Sequence, residues 1–135
     1  MSCPTYLFLI IYLLMFDNAI HLKTNDLEIK DGHVFVKHHT FKDKNGFLMI
    51  YSPLCSHCQS KEKNIDDMVT YMCISSPDYK VAVLDGDEAD TKEIIQALGL
   101  QKFPKYYYIV CKSGIGSQII EFGQAGQKFL SSFMD

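Results

Sequence analysis

The 135-residue sequence predicts an α/β fold, a mixed sheet covered by helices on both faces. Three observations point there. Short apolar runs of strand length alternate with segments whose apolar residues recur every three or four positions, and such alternation implies parallel strands joined by helical crossovers. The Gly-rich stretch Ser113-Gly114-Ile115-Gly116 is a tight turn, which implies one antiparallel pair in the same sheet. The composition is 47% hydrophobic and 21% charged, near the globular averages of about 45–50% and 25%. Disordered, collagen-like and low-complexity chains are excluded.

The elements follow in order. Ile20-His21-Leu22 is a short strand. Leu27–Lys30 and His33–Val36 flank Asp31-Gly32, the preferred dipeptide of a type I′ hairpin turn. Lys37 to Asn45 is polar and ends at Gly46. Phe47–Tyr51 is a continuous apolar run between Gly46 and Pro53, as in a strand buried on both faces. Cys55–Met72 has helical periodicity, with Cys58, Ile65, Met68, Val69 and Met72 on one face and Ser60, Lys61, Lys63 and Asp67 on the other. Ser75-Ser76-Pro77-Asp78 stops it. Lys80–Asp85 is a second buried strand. Asp90 and Glu93 form a capping-box pair that opens a helix over Ile94, Ile95 and Leu98, and Gly99 ends it. Tyr106–Cys111 and Ser117–Phe122 are strands, the Tyr106-Tyr107-Tyr108 run serving sheet packing. Gln127–Met134 is a final helix with Phe129, Leu130, Phe133 and Met134 inward.

Thirteen basic and sixteen acidic residues leave a net charge of -3, so no basic footprint for nucleic acid exists. Residues 1–19 form a distinct segment before a domain over 20–135. Tyr6–Phe16 is apolar throughout, too short to span a bilayer at the ~20 residues a transmembrane helix needs. It has the length of a signal-peptide core, about 7–15 residues. An uncleaved membrane tether through residues 6–16, or a buried element of the domain, are the alternatives. Met1–Thr5 lacks Lys and Arg, and Asp17 stands where a cleavage site wants a small residue. A signal peptide implies the secretory pathway, the endoplasmic reticulum lumen or the cell exterior; without one the chain stays in the cytoplasm. The chain is expected to be a monomer.

Five cysteines cannot all close into internal disulfides. Cys55-Ser56-His57-Cys58 directly follows a buried strand and opens a helix. A zinc site usually needs a second ligand pair; Cys73 and Cys111 stand alone and no His-x₃₋₅-His pair exists, so no metal is expected. The redox reading has a physical cause. A helix start offers unsatisfied N–H groups and partial positive charge, which stabilise a thiolate at Cys55, and the thiolate is the attacking species. Cys58, one turn on and facing inward, is placed to attack a mixed disulfide at Cys55 and release the product. His57 between them would stabilise the Cys55 thiolate further. The bland alternatives are a structural disulfide at Cys55–Cys58, a solvent-facing His57 without a role, and Cys73 and Cys111 as small buried hydrophobes.

The segments FLMIYSPLCSHCQ, VAVLDGDE and LQKFPKYYYI, in this order and spacing, resemble the thioredoxin superfamily. They are most similar to the catalytic domains of protein disulfide isomerases. The resemblance covers about Ile20 to Asp135 and implies a three-layer α/β/α sandwich with a mixed central sheet. It implies that Pro104 is a cis-proline facing Cys55-x-x-Cys58, and that Phe103 presents its backbone to an extended substrate chain. Without the resemblance, Pro104 could simply start a strand. Substrate contacts would fall on Leu54, Ser56, Phe103 and Pro104. Leu54 replaces the family's aromatic and Ser56 its glycine. Met49 stands where the family carries a buried acid, and Val83 where thioredoxins carry its lysine partner; both charges are gone together, leaving a dry apolar site.

The resulting expectation is a thiol–disulfide oxidoreductase acting on protein thiols and disulfides, with glutathione as a further partner. Its dithiol carries the electrons without a cofactor, and it is isomerase-like rather than strongly reducing. The alternative is a redox-inactive module of the same fold that holds partner chains at the strand edge beside Pro104.

Overall fold

The computed structural model describes residues 16, 18–76, 78–124, 128, 131 and 132. The described strands are β1 (Ile20–Leu22), β2 (Leu27–Lys30), β3 (His33–Val36), β4 (Asn45–Tyr51), β5 (Tyr79–Asp85), β6 (Lys105–Lys112) and β7 (Gly116–Glu121). The helices are α1 (Ser56–Gln59), α2 (Glu62–Ser75) and α3 (Lys92–Leu98). All seven strands form one sheet in the order β1-β5-β4-β6-β7-β3-β2. β1 and β4 run parallel to β5, and the remaining pairs are antiparallel.

Side-chain alternation along β4 divides the core. Phe47, Met49 and Tyr51 join a cluster with Cys58 and the inner face of α2, including Ile65 and Met68. Leu48 and Ile50 point the other way, into a cluster with Ile94 of α3 and with Tyr107 and Ile109. A strand that feeds both clusters must be apolar at every position, which accounts for the unbroken run that opens at Phe47. The result is the expected three layers, with α2 and α3 on opposite faces.

The hairpin turn forms at Asp31 and Gly32, whose φ values of 53° and 78° are those a type I′ turn demands. Its strands extend the main sheet through β3 and β7, with Phe35 opposite Gln118. α3 ends on Gly99 in left-handed conformation, where Gly99 N–H donates to Gln96 O and Leu100 N–H to Ile95 O, both at 3.1 Å.

Three expectations need correction. The helix predicted over Cys55–Met72 is broken at Ser60-Lys61. Ser60 Oγ donates to His57 O at 2.7 Å and Lys61 N–H donates to Cys58 O at 3.0 Å, so the hydroxyl and a tighter turn take carbonyls that a continuous helix would use. The capping box of Asp90 and Glu93 does not form. A 3₁₀ turn over Ala89–Thr91 precedes α3, and Thr91 Oγ1 donates to Glu88 O at 2.6 Å instead. Cys73 and Cys111 are half-buried rather than core hydrophobes. Cys73 is disulfide-bonded, and Cys111 is a free thiol whose Sγ lies 3.3 Å from Lys42 O.

Of residues 1–19, Phe16 and Ala19 are buried, and the Phe16 ring meets Tyr51 edge-on with centroids 4.9 Å apart. Residues 1–15 and 17, with most of the apolar run, lie outside the described residues. So do Phe129, Leu130, Phe133 and Met134 of the final helix. Among the described residues no helix is long and apolar enough to cross a membrane.

Candidate active site

The site sits at the C-terminal ends of the parallel strands β4 and β5, where α/β sheets commonly open a crevice. β4 delivers Ser52-Pro53-Leu54 into Cys55. Cys55 N–H donates to Ser52 O at 3.0 Å, closing a turn that aims the next residues into α1. Cys55 is the N-cap of α1, and its Sγ accepts the Cys58 N–H at 3.2 Å. That sulfur therefore takes the place of the usual capping oxygen and meets the free donors of the helix start. On its other side it lies 3.8 Å from Phe103 O. The Phe103–Pro104 peptide is cis.

The two thiols are held in contrasting surroundings. Cys55 is partly exposed, whereas Cys58 is fully buried in the cluster with Met49 and Tyr51. The side-chain hydrogen bond from Cys58 pulls the Cys55 pKa down, helped by the main-chain N–H groups of Cys58 and His57. Burial pushes the Cys58 thiol up to about 11, and its bond to Cys55 adds to the shift. A thiolate on the outer sulfur with a protonated thiol behind it is the charge distribution this geometry favours.

Met49 and Val83 are register partners across the β4–β5 pair, 1% and 0% exposed. A lone charge at either position would be buried without a partner, and both are apolar. The Tyr51 hydroxyl is pushed up to about 12, first by burial and then by Asp85 and Glu88.

The structure thus brings together Cys55, Cys58, Phe103 and Pro104. Leu54 is 89% exposed, and Ser56 and His57 face solvent. His57 reaches Cys55 through its main-chain N–H, which lowers that thiol's pKa, and its imidazole stands outward. Two further residues belong to the site. Ser52 is 7% exposed, and its hydroxyl donates to Asp87 Oδ2 while accepting the Leu54 N–H at 3.3 Å. Ser52 adjoins the motif, but nothing in the sequence ties it to an acid 35 positions away. Among the described residues no three His, Cys, Asp or Glu side chains gather as metal ligands.

No family model matches the sequence, and no curated protein does. Solved structures do match. The Trx4 domain of ERdj5 is 12% identical at a TM-score of 0.56, covering 84% of this chain and 90% of its own. Mitochondrial thioredoxin 3 of Saccharomyces cerevisiae is 14% identical at 0.55, covering 88% and 99%. The first thioredoxin domain of mouse protein disulfide-isomerase A4 is 15% identical at 0.53, covering 79% and 76%. With its mixed sheet between helices and its Cys55-x-x-Cys58 turn at the end of β4, the chain adopts the thioredoxin-like fold.

Proposed function

We propose that this chain is a thiol–disulfide oxidoreductase that exchanges disulfides with protein substrates through Cys55 and Cys58. The observation that carries the reading is the pair itself, a partly exposed sulfur capping α1 and a buried thiol donating to it from behind. A structural disulfide needs no such asymmetry, while stepwise exchange does.

In the reductive direction the Cys55 thiolate attacks one sulfur of a substrate disulfide. A Cys55–substrate bond forms, and the other substrate sulfur leaves as thiolate and takes up a proton. Cys58 then loses its proton to solvent and attacks Cys55 Sγ. The Cys55–Cys58 disulfide forms and the second substrate sulfur departs as thiolate. Two electrons have passed from the dithiol to the substrate, and the reverse sequence oxidises a substrate dithiol. Phe103 and Pro104 line the place where an extended chain meets Cys55, and Leu54 and Ser56 offer contacts on the open side. Leu54, at 89% exposed, is an apolar contact without the flat face of an aromatic.

The finer reading is isomerase-like poise, a potential nearer the isomerase value of about -180 mV than the thioredoxin value of about -270 mV. The lowered Cys55 pKa supports it, because stabilising the thiolate stabilises the reduced form. His57 adds to this through its main-chain N–H. Met49 in place of an acid leaves Cys58 without a buried proton acceptor from β4, so resolution is slow. The dithiol serves without a cofactor, protein thiols and disulfides are the partners with glutathione as a further one, and the chain acts as a monomer. The apolar run through residues 6–16 supports work in the secretory pathway or outside the cell, where disulfide formation is useful.

The test is Cys58→Ser in the full chain. Cys55-linked mixed disulfides with client proteins should accumulate, disappear on reduction, and be absent from Cys55→Ser. Failure to trap any adduct favours the redox-inactive binding module, which exposed Leu54 would also serve.

A further inference from the structure

The turn that follows β5 touches both halves of the site. Gly86 N–H donates to Tyr51 O at 2.8 Å. A Cβ placed on Gly86 would lie 2.5 Å from Cε1 of Phe103, so the ring rests directly on the turn. Asp87 braces that turn by donating its N–H to Asp85 Oδ1 at 2.8 Å. Its own Oδ2 accepts the hydroxyl proton of Ser52. A serine hydroxyl has one proton to give; once it is committed to Asp87, the oxygen lone pairs are left for the Leu54 N–H. The Ser52 carbonyl in turn accepts the Cys55 N–H at 3.0 Å. One carboxylate therefore ends a chain of bonds that organises the backbone from Ser52 to Cys55.

We propose that Asp87 is a positioning residue for the dithiol, holding the Ser52–Cys55 turn through the Ser52 hydroxyl and bringing a negative charge to that turn. This rests on the reading of Cys55 and Cys58 as an exchanging pair. The same charge opposes ionisation at both sulfurs. The other titratable groups in the segments around the pair are Tyr51 on β4, His57 on α1, Lys61 and Glu62 at the start of α2, Asp85 and Glu88 beside Asp87, and Lys102 next to Phe103. Asp87 is the acid bonded to the loop that carries Cys55. The hydrogen bonds to Cys55 Sγ, led by the one from the Cys58 side chain, outweigh Asp87, whose charge is the smallest of the opposing influences and acts as a trim on the reactivity of that sulfur.

The experiment measures the pH dependence of iodoacetamide alkylation at Cys55 in the reduced full chain, read on the peptide by mass spectrometry, together with the rate of exchange with a small disulfide. Asp87→Asn keeps an acceptor for Ser52 and removes the charge. Its alkylation midpoint should fall by roughly 0.5 pH unit, about threefold more thiolate below the midpoint. The difference from wild type should shrink in 1 M salt, where screening acts over about 3 Å. Ser52→Ala keeps the charge and loses the bond, so exchange should slow without any fall in the midpoint. Asp87→Ala should show both effects. An Asp87→Asn midpoint equal to wild type, or a shift that salt does not change, overturns the role of the charge. Wild-type exchange rates in Ser52→Ala overturn the positioning. If the wild-type midpoint itself lies at the ordinary thiol value of about 8.5, the dithiol reading fails instead.

Discussion

Three donors converge on Cys55 Sγ: the Cys58 thiol and the main-chain N–H groups of Cys58 and His57. They lower the Cys55 pKa, whereas burial first, and then the bond to Cys55, raises that of Cys58. For the reduced protein the signs are distinct. A folded Cys55 pKa below its ordinary value contributes stability above that value and loses it as pH falls through the folded pKa. Cys58, raised to about 11, ionises first in the unfolded chain, so it withdraws stability as pH rises from 9 towards 11. Because the Cys58 side chain is the largest cause of the Cys55 shift, Cys58→Ala should move the alkylation midpoint of Cys55 up towards about 8.5. A pH series of alkylation reads this directly, and an unmoved midpoint would show that the main-chain donors act alone. These residues were legible in the sequence because the CxxC, the strand before it and the helix start are neighbours in the chain. Asp87 was not, because it reaches Ser52 from 35 residues away and its position depends on β5 lying beside β4.

Among the elements, the turn after β5 leaves no room for a side chain at Gly86. Gly86 lies under the Phe103 ring and beside Ile50, whose Cγ2 is 3.2 Å from where a Cβ would stand. Gly86→Ala should therefore displace Phe103 and with it the carbonyl near Cys55. We expect a stability loss of about 1–3 kcal/mol, as for other overpacked sites, with slower mixed-disulfide formation at Cys55. Denaturant unfolding and a trapping time course measure the two, and an unchanged trapping rate would separate Phe103 from the site. The hairpin was readable from Asp31-Gly32, since few dipeptides accept two successive positive φ values. The break between α1 and α2 was not. Apolar periodicity runs on through it from Cys58 to Ile65, and the interruption depends on one hydroxyl choosing the His57 carbonyl. The attachment of that hairpin to β7 was equally hidden, because strand order is set by pairings between distant segments rather than by local pattern.

At the largest scale, the seven described strands form one sheet with two apolar faces, and the site stands where the face under α2 meets solvent. Phe16 closes that cluster at 0% exposed, against Tyr51. Phe16→Ala should cost about 3 kcal/mol or more, the usual range for a buried phenylalanine; denaturant unfolding would show it, and a change below about 1 kcal/mol would place Phe16 outside the working core. Cleavage after Ala19 would remove the same ring, so the value bears on how residues 1–19 are processed. Every step proposed above requires Cys55 and Cys58 to exchange electrons with other thiols. The most direct measurement equilibrates the full chain in graded reduced and oxidised glutathione, quenches with an alkylating agent, and scores the Cys55–Cys58 peptide by mass spectrometry. An exchanging pair should show a midpoint between about -120 and -270 mV, towards the isomerase end near -180 mV. A midpoint below about -300 mV, the range of structural disulfides, would contradict it.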